Sequence, residues 1–579
     1  MRAIMMAAIA ALVFSTTASA APADTRLRAL YDGEWAWRVA QFADDENNTR
    51  PVPDHLPSVT PAAQFERLRY WRGVITRLNA IPGGLLSLKE QVNAQVFRFQ
   101  IAGLIADQEF RAYEMPANSD SSFWTDFNDR ARRPFRTVAD YRNWILQMRD
   151  IPRYFREEMD EMRVGEGRGF TPPRVTLEGR DGSIAAAANG KPADTPFYAP
   201  FKDMLSTVPA AEQVRLRAEA LKVIRQTVQP AYRELLKYWR DEYVPHARPT
   251  LAAEALPDGK AYYRRQIIAY ATLDMPPDAI HRIGLAEVAL LRRQMIAVMR
   301  QTGFAGDLPA FLKYLRTNPR FYAKTPQDLL NRAAWIAKEF DGKAALYFGL
   351  LPRSRFTIVP VPPDIAPFYT SGRGGPGVFL LNTYDLPHRP LYSLTALTLH
   401  ESAPGHAFQM PLALEDTSLP AFRRNTYISA YGEGWALYCE WLGREMGLYH
   451  SAYDRFGMLG YQIWRASRLV VDTGIHSKGW SRAQAIRYLH DNSALPDHEI
   501  ETEVDRYITW PGQALSYYMG ELAIREARAK AEKTLGAKFN IRAFHDAVLQ
   551  LGSVPLPVLK QHMDRFIAGE GKGPYPDLE

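Results

Sequence analysis

The chain has 579 residues, and its 71 lysines and arginines exceed its 64 aspartates and glutamates by only seven charges. So small a surplus, without a basic arm or an interleaved aromatic–basic stretch, excludes the patterns typical of nucleic-acid binding. The single cysteine, Cys439, excludes disulfide bonds within the chain, and the length predicts more than one lobe.

Residues 1–20 are typical of a secretory signal peptide. Arg2 precedes an apolar run from Ile4 to Phe14, and Ala18-Ser19-Ala20 has the small residues of a cleavage site. The run is too short for a permanent membrane anchor, and no cysteine that could carry a lipid follows the cleavage site. We therefore expect a mature chain that begins at Ala21 and is exported, to a periplasm.

Residues 21–345 are predicted to form an N-terminal helical region. Apolar residues recur at three and four positions in Ala211–Tyr243, which Pro230 interrupts, and likewise in Gly284–Thr302 and Gln327–Phe340. The stretch Gly165–Pro200 is rich in glycine, proline and alanine and lacks this period. We expect it to be a surface loop or a lid.

Residues 346–579 are predicted to form a catalytic region that begins with short strands in 346–390. Arg355–Val361 and Gly377–Tyr384 are rich in β-forming residues and are separated by glycine- and proline-rich turns. The strands form either a structural hairpin or an edge that holds an extended peptide through backbone hydrogen bonds. Asn382 is a candidate contact to a substrate backbone.

A motif that could hold a metal ion follows these strands. Glu401 directly follows His400, as in H-E-x-x-H zinc sites, but His406 comes six positions after His400 and not four. On a regular helix that spacing puts the two side chains about 240° apart. Pro404-Gly405 would end or bulge the helix and could return His406 to the first face. Otherwise the stretch is a kinked core helix with two unrelated histidines.

A second motif offers a third ligand. Glu433 lies between Gly432 and Gly434 at the head of an apolar helical run, and two histidines with a glutamate are an established zinc ligand set. The two glycines would let this helix approach the first one closely. Glu440, two turns further on, is a candidate for orienting a ligand imidazole, and it is also the alternative third ligand. By itself the stretch fits an acidic residue at a helix start better than a metal ligand. Together with His400-Glu401 and His406 it favours the ligand.

Later helices carry further polar side chains. Arg468 and His476 would share one helix face, and Arg506 and Tyr517 follow. Zinc-dependent hydrolysis creates an oxyanion that needs donors besides the metal, and Tyr517 and His476 are the candidates. Arg468 or Arg506 could bind a substrate carboxylate. Each of these side chains could instead make a structural hydrogen bond or salt bridge.

The motifs H-E-x-x-P-G-H and E-G-W-A-L-Y together resemble the signature of a bacterial family of unknown function, DUF885. Its members are regarded as zinc peptidases of the gluzincin type, and the resemblance covers most of the mature chain. It implies one Zn²⁺ per chain held by His400, His406 and Glu433, with Glu401 as general base. The family pattern often has a second histidine where this chain has Ala407.

The predicted protein is thus an exported zinc metallopeptidase. The fold is expected to be mostly α: a large, two-lobed, zincin-like helical shell around a deep cleft, with a small β-sheet just before the metal-binding helix. A peptide is the expected partner, with no nucleic acid and no stable membrane anchor; the oligomeric state stays open. The alternatives are an inactive family member that binds peptides or acts as a periplasmic scaffold, and a zinc amidase or esterase acting on another substrate.

Overall fold

Helices dominate the structure, a computed structural model that describes residues 17–42, 51–119, 121–363 and 365–573. The predicted mostly-α class is confirmed. Of the predicted signal peptide, residues 1–16 lie outside the described residues and 17–20 begin the first helix. Within the described ranges, no helix combines the length and the hydrophobicity needed to cross a membrane.

The described chain divides into two compact units. The first holds the residues up to Pro249 together with Pro420–Asn425, and the second holds Thr250–Leu419 and the residues from Thr426 onward. This division differs from the boundary predicted after residue 345, which rested on the change of sequence period alone. The helices between residues 250 and 345 pack with the second unit.

The first unit consists of helices. They are α1 (Thr17–Phe42), α2 (Pro61–Asn79), α3 (Leu88–Glu109), α4 (Asp126–Ala131), α5 (Val138–Gly167), α6 (Gly182–Asn189), α7 (Ala199–Lys202), α8 (Ala210–Val223), α9 (Gln229–Tyr238), α10 (Val244–His246) and, after a long excursion of the chain, α18 (Ala421–Arg424). A capping box between Thr137 and Asp140 begins α5. Pro230 and Pro245 each come just after a π-helical turn. The wider turn accommodates the missing hydrogen bond, since proline has no amide hydrogen to donate.

The core of the first unit is aromatic, and the stretch Gly165–Pro200 contributes to it. Phe170, Ile184 and Phe197 from this stretch are fully buried, and the carbonyl of Phe197 accepts a hydrogen bond of 3.0 Å from Trp144 Nε1. The prediction of a surface loop or lid is therefore wrong. The composition suggested a loop, but the few large apolar side chains pack into the core and order the stretch.

The second unit carries the remaining α-helices of the described chain. They are α11 (Gly259–Ala271), α12 (Pro277–Gln301), α13 (Leu308–Thr317), α14 (Pro326–Asp341), α15 (Ala344–Tyr347), α16 (Leu394–Glu401), α17 (His406–Glu415), α19 (Ser429–Leu442), α20 (Ala452–Lys478), α21 (Arg482–Asn492), α22 (Asp497–Thr509), α23 (Ser516–Leu535), α24 (Ile541–Gln550) and α25 (Leu556–Ala568). The central helix is α20, since every residue from Phe456 to His476 is buried.

A three-stranded sheet precedes α16, as predicted. The strands are β1 (Thr357–Pro360), β2 (Gly372–Gly375) and β3 (Val378–Leu381), in the order β1-β3-β2. β1 runs parallel to β3, and β2 runs antiparallel to it with Gly374 opposite Phe379. The two predicted strands are β1 and β3, whereas the edge strand β2 was missed because its Gly-Arg-Gly-Gly sequence has no β-forming residue.

Glycines set the close packing of α19, but the helix they face is not the predicted one. A Cβ on Gly434 would overlap the backbone of Gly520 in α23, and a Cβ on Gly520 would overlap the carbonyl of Ala430. Gly432 instead makes room for the ring of Tyr427. The expectation that these glycines bring α19 close to α16 is therefore corrected: Gly434 brings it close to α23, and Gly432 accommodates Tyr427.

Candidate metal centre

The chain turns sharply between the two histidines of the first motif. Helix α16 ends at Glu401 and α17 begins at His406, as the predicted break at Pro404-Gly405 requires. Gly405 is needed here because a Cβ would overlap the carbonyl oxygen of His400. Trp435 Nε1 in α19 donates a 2.8 Å hydrogen bond to the carbonyl of Pro404. The turn brings the two imidazole rings to a centroid distance of 4.9 Å.

Glu433 completes a three-residue cluster with these imidazoles. Its Oε2 lies 3.4 Å from His400 Nε2 and 3.3 Å from His406 Nε2. One nitrogen or oxygen from each residue lies within 4.8 Å of the others. Ligand atoms at the corners of a tetrahedron with zinc bonds of about 2.0 Å are about 3.3 Å apart. The two distances to Glu433 Oε2 therefore match the spacing of zinc ligands, and the three side chains could hold a metal ion.

Glu440 lies on the opposite side of the His400 ring from Glu433. Its Oε1 accepts a 2.8 Å hydrogen bond from His400 Nδ1, and Arg465 Nη2 lies 3.9 Å from the same oxygen. Because a carboxylate can only accept, Nδ1 carries a proton and Nε2 faces Glu433 and His406. This geometry fits Glu440 as the orienting carboxylate and Glu433 as the third ligand.

The charged groups of the cluster shift one another's pKa values. Burial by itself lowers the pKa of His400, but hydrogen bonds with Glu433 and Glu440 outweigh it and raise that pKa to about 10. Burial raises the pKa of Glu433, whereas the charge of His406 and its hydrogen bonds with both imidazoles hold the pKa well below its usual range. Two carboxylates thus surround a site that favours positive charge, which a divalent cation would supply.

Glu401 is held by the edge strand of the sheet. The amide of Gly374 in β2 donates a 2.6 Å hydrogen bond to Glu401 Oε2. A Cβ at position 374 would overlap the backbone of Glu401, so the strand can lie this close only with glycine there. The predicted base is therefore fixed next to His400 by a backbone group.

Tyr517 lies beside the cluster, and the predicted arginines lie around Tyr517. Its ring is nearly parallel to that of His400 at a centroid distance of 6.4 Å, and the guanidinium of Arg468 is 4.3 Å from its centre. Arg468 is buried and donates to Glu503 and Tyr507 at 2.8 Å each. Arg506 Nη2 lies 3.5 Å from the Tyr517 hydroxyl. Of the two arginines, Arg506 is the more exposed one.

His476 and Asn382 make structural hydrogen bonds instead of facing the cluster. His476 Nδ1 accepts from the amide of Ala253 at 3.0 Å, and its Nε2 donates to the carbonyl of Tyr507 at 2.8 Å. The Asn382 amide is fully buried and donates to three backbone carbonyls, those of Ala366, Tyr369 and Thr370. Helical spacing and a strand position suggested both residues, but neither pattern reveals long-range backbone partners.

Tyr427 is a residue of the site that sequence reasoning missed. Its hydroxyl donates a 2.9 Å hydrogen bond to Glu433 Oε1, and its ring lies 6.3 Å from that of His406. Tyr427 keeps 37% of its surface exposed, while its hydroxyl meets the carboxylate of Glu433. The only hint in the sequence is Gly432, because a side chain there would collide with the tyrosine ring.

Comparison with known families supplies the next observation. Residues 43–563 match the family described as "Bacterial protein of unknown function (DUF885)". This chain is a DUF885 protein. The match spans both compact units of this DUF885 member and includes every residue of the metal centre described above. The family description assigns no activity, and no curated protein matches the chain.

Two solved structures share the fold of this DUF885 protein. A lipoprotein candidate from Colwellia psychrerythraea is 24% identical with a TM-score of 0.87, and the match covers 96% of this chain and all of that one. A lipoprotein candidate of unknown function from Shewanella oneidensis is 16% identical with a TM-score of 0.65, and the match covers 93% of this chain and 98% of that one. At these identities the likeness establishes the fold of the DUF885 chain and not its chemistry.

Proposed function

We propose that this DUF885 protein is a zinc-dependent metallopeptidase of the gluzincin type. The observation that carries the proposal is the distance of 3.3–3.4 Å between Glu433 Oε2 and the two Nε2 atoms of His400 and His406. Histidines with a purely structural role rarely share one carboxylate. Here a sharp turn also brings the second histidine to the first, and another carboxylate binds the far nitrogen of the first ring. A catalytic zinc site uses three such ligands, a group that orients a ligand imidazole, and an open position for water.

Zinc, when bound, supplies a Lewis acid that polarises a carbonyl and activates water near neutral pH. Glu401 takes the proton of the attacking water and returns it to the leaving amine, as a general base and then a general acid. The Gly374 amide holds one carboxylate oxygen of Glu401, so the other can receive that proton. Glu440 keeps the proton of His400 on Nδ1 and the lone pair on Nε2.

Tyr517 is the proposed donor to the developing oxyanion. Its ring lies 6.4 Å from that of His400, and both Arg506 and Gln513 approach its hydroxyl at 3.5 Å. Donors aimed at the position where negative charge develops stabilise the transition state most. The partly exposed Arg506 then lies where a substrate carboxylate could reach it. His476 is not part of this proposal, because both of its ring nitrogens are occupied.

The edge strand supports a peptide as the proposed substrate. β2 pairs with β3 on one side only, and its Gly374 is in direct contact with Glu401. An extended peptide that adds to such an edge through backbone hydrogen bonds would carry its scissile bond past the proposed base. This contact favours peptides over small esters, because an ester without a peptide backbone could not use the strand.

The experiment that tests the proposal measures zinc per chain by elemental analysis. Wild-type protein should hold about one zinc ion, and His406→Ala and Glu433→Ala should lose it, because each removes one of three ligands. His450→Ala is the matched control, since His450 is an exposed histidine paired with Glu339 on the surface. Cleavage of a peptide library by the wild type, absent in the two ligand variants, would establish the reaction.

Two results would overturn the proposal. Wild-type protein that takes up no zinc, even when zinc is supplied, would favour the peptide-binding or scaffolding alternative. Zinc-loaded protein that hydrolyses esters or other amides but no peptide would instead favour the amidase or esterase alternative.

Export is part of the same proposal. The signal-peptide pattern of residues 1–20 supports it, and both similar structures are described as lipoprotein candidates, a class of exported proteins. N-terminal sequencing of the protein from a periplasmic fraction should give Ala21 as the first residue. Recovery of the protein in the cytoplasm with residues 1–20 intact would contradict export.

A further inference from the structure

We propose that Tyr427 is a positioning residue. Its hydroxyl holds Oε1 of Glu433, so that only Oε2 faces the metal. The inference rests on the proposed zinc site and goes beyond it, since it concerns what sets the metal affinity. It makes Tyr427 as important for holding zinc as Glu440 is, from the opposite side of the cluster.

The hydrogen bonds assign the two oxygens of Glu433 to different partners. Oε1 accepts from the Tyr427 hydroxyl at 2.9 Å, whereas Oε2 lies 3.4 and 3.3 Å from the Nε2 atoms of His400 and His406. Without the hydroxyl the carboxylate could rotate about its last bond or turn both oxygens toward the metal. A fixed single-oxygen ligand leaves more of the coordination sphere for water and substrate.

The ring of Tyr427 packs against α19 and lies close to the His406 ring. It lies against α19 at Gly432, where a Cβ would overlap the ring, and it approaches the His406 ring at 6.3 Å. Glycine in the interior of a helix costs about 0.5–1 kcal/mol relative to alanine. The helix that supplies Glu433 therefore accepts a destabilising residue beside the ligand, at the point where the tyrosine needs the space.

Two substitutions test the hydroxyl and the packing separately. Tyr427→Phe keeps the ring and removes the hydrogen bond to Glu433. Gly432→Ala keeps the tyrosine but pushes its ring away from α19. Groups that hold a metal ligand in place typically contribute 10- to 100-fold to metal affinity, so we expect both variants to bind zinc about 10- to 100-fold more weakly than wild type.

The measurement is zinc affinity of the full chain, by competition with a chromophoric chelator at fixed pH. Tyr431→Phe is the matched control, since its buried hydroxyl donates a 2.8 Å hydrogen bond to the Val548 carbonyl, away from the ligands. We expect this variant to lose stability but to keep wild-type zinc affinity. Circular dichroism melts of all variants verify that each is folded at the temperature of the titration.

The outcomes separate this inference from the proposed function. If wild type binds zinc and Tyr427→Phe binds it equally well, the inference is overturned and the metallopeptidase proposal stands. An equal loss of affinity in Tyr431→Phe would also overturn it, because the loss would then reflect general destabilisation. If wild type binds no zinc, both fall together. Should Gly432→Ala fail to fold, Tyr427→Phe decides alone, because it leaves the packing unchanged.

Discussion

Three carboxylates beside His400 each have a different hydrogen-bond partner. Glu401 and Glu433 both lie beside His400, yet one accepts a hydrogen bond from the Gly374 amide and the other accepts one from a tyrosine hydroxyl. Glu440 accepts from the far nitrogen of His400. The different partners of these three similar side chains are the basis for the three proposed roles of base, ligand and orienting group.

The base is tested by Glu401→Gln. Glutamine keeps the shape and can still accept from Gly374, but it cannot take a proton, so kcat should fall by about 10²- to 10⁴-fold while zinc content stays at the wild-type level. Turnover of a fluorogenic peptide and elemental analysis measure the two quantities. Glu415→Gln is the control, since the Glu415 carboxylate accepts hydrogen bonds from the backbone amides of Arg353 and Ser354 at the surface. Residual turnover above a tenth of wild type would rule out Glu401 as the base.

A buried carboxyl outside the reaction should make stability depend on pH. Burial raises the pKa of Glu521 to about 8, although the Arg525 guanidinium, 3.6 Å away, offsets part of the shift. The folded state thus keeps a proton that the unfolded chain releases near pH 4.3, the ordinary value for glutamate. Its contribution to stability is complete below about pH 4 and is lost as pH rises through about 8.

Glu521→Gln should therefore remove part of the fall in stability between pH 6 and pH 9. Urea unfolding of wild type and variant at the two pH values gives the free energies to compare. Glu526→Gln serves as control, since Glu526 lies on the same helix and is exposed. An identical fall in wild type and Glu521→Gln would contradict the prediction.

At the scale of elements, the contact of α19 with α23 sets where Glu433 lies. Gly434 and Gly520 meet backbone to backbone, so the two helices approach more closely than side chains would allow. Helices usually keep 8–10 Å between their axes, and glycines are the way to shorten that distance. The sequence shows the two glycines around Glu433, but not that Gly434 faces α23 while Gly432 faces Tyr427.

Gly434→Ala should destabilise the protein by about 1–3 kcal/mol, because the added methyl group collides with the α23 backbone and outweighs the gain in helix propensity. The free energy of unfolding from urea titration is the measurement. Gly460→Ala in α20 is the control, since no atom lies within 4 Å of its added Cβ. The control should be neutral or stabilising. An equally mild effect at position 434 would mean that α19 shifts freely.

At the scale of the whole molecule, the proposed metal ligands all come from one of the two units. His400, His406 and Glu433 lie on α16, α17 and α19 of the second unit. A ligand that binds only the folded state stabilises it by about 2.7 kcal/mol at one hundred times its dissociation constant. That stabilisation belongs to the elements that provide the ligands.

Removal of zinc by a chelator should therefore speed amide hydrogen exchange in α16, α17 and α19 while α2 and α5 of the first unit keep their exchange rates. Mass spectrometry of peptic fragments, with and without zinc, gives the comparison. In His406→Ala the addition of zinc should change nothing. Faster exchange throughout both units on zinc removal would contradict the assignment of the stabilisation to the second unit.

The sequence by itself determined the local features. Apolar periods predicted α12 and α14, alternation and turn residues predicted β1 and β3, and Pro404-Gly405 predicted the break between the histidines. These features depend on residues that are neighbours along the chain, so their causes are visible in the sequence. The family signature is local in the same sense, because its motifs are short runs.

Only the tertiary structure decided which side chains meet. It gave Glu440 and Glu433 different contacts with His400 and brought Tyr427 to the Glu433 carboxylate. It also placed His476 and Asn382 in hydrogen bonds with the backbone. It also buried the glycine-rich stretch that was predicted to be a lid. Such outcomes depend on contacts between residues far apart in the chain. Local spacing and composition do not reveal which distant residue a side chain will contact.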